Sequence, residues 1–104
     1  MIDGTFFRGT TPTHTFSIPI ARDLVKDLRI TYTQDKKKIL TKQLKDVEFS
    51  ESDISVTLTQ EETLLFQGGK VTQIQLKLKT IDDSVLGSDI MRMRVDEILD
   101  DEVI

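Results

Sequence analysis

Thr57 to Thr80, TLTQEETLLFQGGKVTQIQLKLKT, contains a strand end, a capped turn and the most regular alternation of the chain. Thr59 followed three residues later by Glu62 has the spacing of a capping box, in which the hydroxyl accepts from the Glu62 N–H and the carboxylate reaches back to the Thr59 N–H. The spacing predicts one helical turn over Gln60 to Phe66. Gly68 and Gly69 end it, because glycine takes the left-handed backbone of a helix C-terminus without a side-chain clash. From Gln73 to Lys79 apolar Ile74, Leu76 and Leu78 alternate with polar residues, the period of a half-buried strand. The stretch thus reads as a corner that aims Val71 to Leu78 into a core.

Working outward, the remaining segments repeat that strand signature at shorter length. Pro12 and Pro19 bracket Thr13 to Ile18, and a proline, having no N–H for a ladder, belongs at strand ends or edges. His14, Phe16 and Ile18 share one face there, so the only histidine reads as a core-edge residue and not as a ligand. Ala21 to Asp27 reads as a turn or short helical segment. Leu28, Ile30 and Tyr32 then alternate with Arg29, Thr31 and Thr33, a strand rich in β-branched and aromatic residues. It is joined to Ile39–Leu44 through QDKKK, as a hairpin with a four- or five-residue connection. Asp46–Phe49 and Ile54–Leu58 flank the turn-formers Ser50 to Asp53 as a second hairpin. Past the turn at Ile81 to Ser84, Val85 to Val95 reads as one long last strand with Gly87 as a candidate bulge and Met91, Met93 and Val95 inward.

Six or seven extended segments with turns every eight to twelve residues, and one isolated helical turn, predict an all-β fold. The expected architecture is an immunoglobulin-like β-sandwich of about seven strands with one short helical turn near residues 60–66. A chain of 104 residues has the size of one domain, so residues 1–104 are expected to form a single sandwich, with an N-terminal arm or short edge strand over 1–11 and an acidic, apolar tail over 96–104.

The formal charge of −4 divides unevenly. The last nine residues, DEILDDEVI, hold five of the eighteen acids, which leaves thirteen acids against fourteen bases in the remainder. A near-neutral body has no nucleic-acid footprint. Lys36, Lys37 and Lys38 form a basic cluster, but no aromatic or arginine partners stand beside it, and it reads as a solvated hairpin tip. No apolar run approaches the roughly 20 residues of a membrane span, and MIDGTFFRGTTPT lacks the layout of a secretory signal. The expected location is the cytosol of the producing cell. The absence of cysteine excludes disulfides and thiolate metal sites.

Catalytic sets are equally short of parts. Nucleophilic catalysis needs a nucleophile, a base and an orienting group, and one histidine with no cysteine does not supply them. Asp82 and Asp83 lie in a turn, and the tail acids lie at a terminus, where burial does not raise a carboxyl pKa. Gly68, Gly69 and Lys70 follow a helical turn instead of preceding one, unlike a phosphate loop. The sequence therefore predicts a non-enzyme with no catalytic, cofactor or metal residues. Only a deep pocket lined with Asp89, Arg92 or His14 would revive an enzyme reading. What remains is apolar material at the two ends, and Phe6, Phe7, Leu99, Val103 and Ile104 are the expected partner-binding residues. The alternative is a small ligand- or carbohydrate-binding module presenting Tyr32 and phenylalanine rings.

FRGTTPTHTFSIP (Phe7 to Pro19), LTQEETLLFQGGKVTQIQLK (Leu58 to Lys77), the SDI of Ser88 to Ile90 and the ending VDEILDDEVI resemble small proteins encoded among the tail genes of phages and prophages of Gram-positive bacteria. They are similar to the immunoglobulin-like N-terminal domain of baseplate upper proteins. The resemblance implies a virion-associated structural protein whose partners are other tail or baseplate subunits or further copies of itself. It carries no set of functional residues. The larger baseplate proteins continue into a linker helix and a receptor-binding-protein attachment region.

Overall fold

The computed structural model describes residues 2–104; residue 1 of the expected arm lies outside them. Nine strands and one α-helix are formed among the described residues: β1 (Gly4–Phe7), β2 (Thr13–Ser17), β3 (Val25–Gln34), β4 (Lys37–Gln43), β5 (Val47–Phe49), β6 (Asp53–Thr57), α1 (Gln60–Thr63), β7 (Lys70–Thr80), β8 (Val85–Gly87) and β9 (Met91–Asp96). Two sheets face each other. The larger has the order β1-β9-β7-β3-β4, with β8 also pairing with β7, and the smaller has the order β2-β6-β5. Every pairing is antiparallel except that of β1 with β9, which is parallel.

Period-two alternation in the sequence becomes the core directly. Leu28, Ile30 and Tyr32 of β3 stand opposite Leu78, Leu76 and Ile74 of β7. They pack against Phe16 from β2 and Ile54 and Val56 from β6, all buried. Each large side chain so buried contributes roughly 1.5–3 kcal/mol of hydrophobic stabilisation, which is why the aliphatic alternation decides the architecture. The corner at Thr59 forms as its spacing predicts: Thr59 Oγ1 accepts from the Glu62 N–H at 3.1 Å and Glu62 Oε1 accepts from the Thr59 N–H at 2.8 Å. The α-helix itself covers only Gln60–Thr63, followed by turn residues to Phe66, whose ring is buried. Gly69 has φ +78°, the left-handed region where a Cβ would be strained, so it supplies the reversal into β7.

Two local expectations need correction. The β3–β4 connection is two residues, Asp35 and Lys36, with φ values of +51° and +67°. Two positive φ angles define the turn whose twist suits a hairpin. Because neither residue is glycine or asparagine, the turn is hidden in the polar run. The last strand is not continuous: it breaks at Ser88–Ile90. There the Ser88 hydroxyl accepts from the Leu76 N–H at 3.0 Å while the Ser88 N–H donates to the Leu76 carbonyl at 2.9 Å. A side-chain oxygen thus takes the place of a backbone carbonyl, and the ladder on this edge of β7 resumes only at Ile74 and Met91, with one extra residue on the outer strand. Gly87 itself pairs in register with Lys77, and the extra residue expected there falls just after it, within Ser88–Ile90. Within 1–11, by contrast, the short edge strand forms: β1 closes part of the side of the sandwich by pairing with β9.

Candidate functional site

The segment that follows β1 meets the C-terminal tail beside α1. Arg8, just past β1, donates from Nε to the Phe66 carbonyl at 2.7 Å, from Nη2 to the Leu64 carbonyl at 3.1 Å and from Nη1 to Glu97 Oε1 at 2.9 Å. One guanidinium thus joins β1, the carbonyl end of α1 and the start of the tail, a use of five fixed donors that lysine does not match. The tail then passes over Gly9, where Ile98 and the Asp100 carbonyl are near neighbours. Its last residue is held by Gln60: the Ile104 N–H donates to Oε1 at 3.0 Å and the Ile104 carbonyl accepts from Nε2 at 2.9 Å. Residues 97–104 contain neither helix nor strand.

Of the five expected partner-binding residues, the fold separates one from the rest. Phe6 is 5% exposed, paired in register with Val95, and its ring lies edge-on to Phe66 and His14 at 5.7 and 5.2 Å between centroids. It belongs to the core of its own chain and is removed from the partner set. Phe7, next along the strand, points the opposite way and is 51% exposed. Leu99 and Ile104 are fully exposed and Val103 half exposed. Phe7 immediately precedes Arg8, Leu99 lies between the two tail residues that neighbour Gly9, and Ile104 is the residue held by Gln60. Tyr32 is completely buried, so the ring expected for carbohydrate stacking is not at the surface.

His14 is buried between the sheets, with Nδ1 2.7 Å from the Tyr32 hydroxyl and Nε2 without a partner among the described residues. Desolvation lowers its pKa from 6.5 to about 4, since burial disfavours the charged ring. Burial, with the negative Glu62 nearby, pushes the Tyr32 hydroxyl upward. The unfolded chain takes up a proton on His14 as pH falls below 6.5, whereas the folded chain does so only near 4, so folding is disfavoured progressively between these values. Wild-type protein is expected to lose about 2–3 kcal/mol from this group between pH 7 and 4.5. Urea denaturation at the two pH values should show a correspondingly smaller loss in His14→Gln; equal losses would contradict the buried neutral ring.

A second feature was not anticipated. Along the side of the sandwich that β1 leaves uncovered, a seam of about 670 Å³ opens between β2 and the β8–β9 segment, floored by Leu76 and Leu78. Phe16 and Ile18 form one wall, Leu86, Ile90 and Met91 the other, and Asp3 and Asp89 supply the carboxylates of the lining. It is open to the surface and contains Asp89, but neither His14 nor Arg92. The signal in the sequence was the pair of apolar residues Leu86 and Ile90 flanking GSD, which a single continuous strand had absorbed. Among the described residues no three His, Asp or Glu side chains gather as a metal site, and no helix is long and apolar enough to cross a membrane.

No family model matches the chain, and no curated protein does. Among solved structures it is similar to the immunoglobulin-like domain of mouse leukocyte-associated immunoglobulin-like receptor 1, a strand-swapped dimer, with 13% identity over 88% of this chain and 84% of that one and a TM-score of 0.52. The extracellular domain of the same receptor aligns at 14% identity over 97% and 83% of the two chains, TM-score 0.47. The V domain of amphioxus IgVJ-C2 aligns at 12% over 89% and 98%, TM-score 0.36. Together with the two facing sheets, the first of these likenesses establishes the fold: the chain is an all-β, immunoglobulin-like sandwich.

Proposed function

We propose that the chain is a non-enzymatic structural and protein-interaction module of a phage or prophage tail or baseplate, which contacts neighbouring subunits through the apolar residues beside Arg8 and in its C-terminal tail. The observation that carries the interaction reading is the exposure of Phe7, Leu99, Val103 and Ile104 on backbone held in place by Arg8 and Gln60. Exposed apolar side chains gathered at one place mark contact surfaces, and a pre-ordered surface loses less entropy on association than a free tail. The immunoglobulin-like fold agrees with a binding role. The tail-component reading rests on the resemblance carried by Phe7 to Pro19, Leu58 to Lys77 and the final ten residues.

Sedimentation velocity over a wide concentration range tests the contact. Wild type is expected to self-associate, and the triple variant Phe7→Ser, Leu99→Ser, Ile104→Ser to sediment as a monomer with an unchanged unfolding midpoint. A wild type that stays monomeric at the highest concentration, with the triple variant indistinguishable from it, would overturn the end-to-end contact. Neighbouring tail and holin genes are expected for the phage assignment; a metabolic operon would sink it.

A further inference from the structure

The free edge of β2 is a second place where this domain is open. Leu58 N–H donates to the Pro12 carbonyl, and the register pairs His14 with Val56 and Phe16 with Ile54. Hydrogen-bonded pairs alternate along an antiparallel ladder, so Thr13, Thr15 and Ser17 are the non-bonded positions, and their N–H and C=O groups point away from β6. Two side-chain contacts agree, as such positions bring side chains closest: Thr13 Oγ1 lies 2.7 Å from Thr57 Oγ1 and Thr15 Oγ1 3.0 Å from Ser55 Oγ. Among the described residues no strand pairs with this edge.

Exposed edges are normally blunted by brevity, charge or irregularity. In this fold β1 has four residues, β5 three, and the seven-residue β4 carries Lys37, Lys38 and Lys42. By contrast β2, THTFS, has five residues and no Lys, Arg, Asp or Glu. Beside its lower half lies the apolar seam, held open where Ser88 ends the β8 ladder. Beside its upper half the space is taken by Phe6. A strand laid along β2 would therefore set its inward side chains over Phe16, Ile18, Leu86 and Ile90. Leu86 and Ile90 are 48% and 40% exposed, which leaves apolar area for such residues to cover.

We propose that this seam is a strand-acceptor groove: an extended segment of a partner protein, apolar at alternate positions and carrying Lys or Arg at one end, pairs with the free edge of β2. Strand addition of this kind draws its affinity from main-chain hydrogen bonds and its selectivity from alternate side chains. The basic residue is specified by Asp3 and Asp89, since the lining contains no Lys or Arg. A second copy fits less well, because the inward residues of its own β2, His14 and Phe16, are already buried in its core, and it would bring two more carboxylates to the seam. The proposal deepens the interaction reading by naming a partner chemistry, and it uses neither Phe7 nor the exposed residues of the C-terminal tail.

The test is a titration of the 104-residue chain with a short synthetic peptide in which valine alternates with threonine and a lysine stands at each end, followed by NMR and amide exchange. Saturable binding is expected, with slowed exchange at Thr13, Thr15 and Ser17, and no binding by the same peptide N-methylated at alternate residues. Thr15→Pro removes an outward N–H without touching the β2–β6 ladder, and is expected to weaken binding about 10-fold or more. Ile90→Ser, at an exposed position, should weaken it about 10-fold even if the proline variant does not fold. No saturable binding, or binding unaffected by Ile90→Ser, overturns the groove. A dimer dissolved by Thr15→Pro, without peptide binding, would assign the edge to a second copy and overturn the proposed partner. Loss of self-association in the triple variant with peptide binding intact would separate the two surfaces.

Discussion

Phe6→Ala is expected to lower the unfolding free energy by about 3–5 kcal/mol, the cost of deleting a buried aromatic ring together with the cavity it leaves. Phe7→Ala, one residue away, is expected to change stability by no more than about 0.5 kcal/mol and to reduce self-association instead. The contrast follows from a single geometric fact: β1 is parallel to β9 with Phe6 opposite Val95 and Phe7 opposite Asp96. A strand has a side-chain period of two, and a slip of one residue would exchange the two phenylalanines between core and solvent. Urea denaturation of both variants, with sedimentation alongside, measures it. Similar losses of stability would mean that β1 is not docked in this register, and the reverse order would mean that Phe7 is the core residue.

Glu62→Ala should be nearly as costly, about 3 kcal/mol, although Glu62 lies at a surface corner. Its carboxylate does two jobs. It caps the first turn of α1 through the Thr59 N–H, and both of its oxygens accept from Lys42 Nζ, at 2.8 and 2.6 Å. Lys42 comes from β4 and is only 8% exposed, so removing the acid leaves an ammonium with little water around it. Burial tends to raise the Glu62 carboxyl, but the hydrogen bonds from Lys42 and Thr59 outweigh it and hold the group below the usual carboxylate range. The test is a double-mutant cycle. Lys42→Met in the Glu62→Ala background should recover about half of the loss, because the stranded charge is gone while the missing cap remains. If Lys42→Met recovers nothing, the cost lies in the cap alone and the ion pair is without effect on stability.

Both predictions join a residue that is legible locally to one that is not. The capping box at Thr59 and Glu62 needs only a spacing of three, and the alternations at Leu28–Tyr32, Ile54–Leu58 and Ile74–Leu78 need only a period of two. Side-chain direction along a strand repeats regardless of what the strand packs against, so these segments, their buried faces and the turns between most of them were determined by sequence alone. They were enough to specify two apolar-faced sheets and hence a sandwich. The inward-facing His14 followed from the same alternation.

What the tertiary structure decided depends on contacts between residues far apart in the chain. Alternation says that one of Phe6 and Phe7 is buried, but only the pairing with β9 says which. Lys42 reads as one more surface lysine until β4 carries it to Glu62. Val85 to Val95 reads as one strand until Ser88 Oγ meets the Leu76 N–H and breaks the ladder, and the seam exists only because of that break and because β1 stops short of covering it. The capped corner from Thr59 to Gly69 was thus written in local spacing, whereas the exposed apolar tail beside Arg8 and the free edge of β2 are what remain uncovered after long-range pairing.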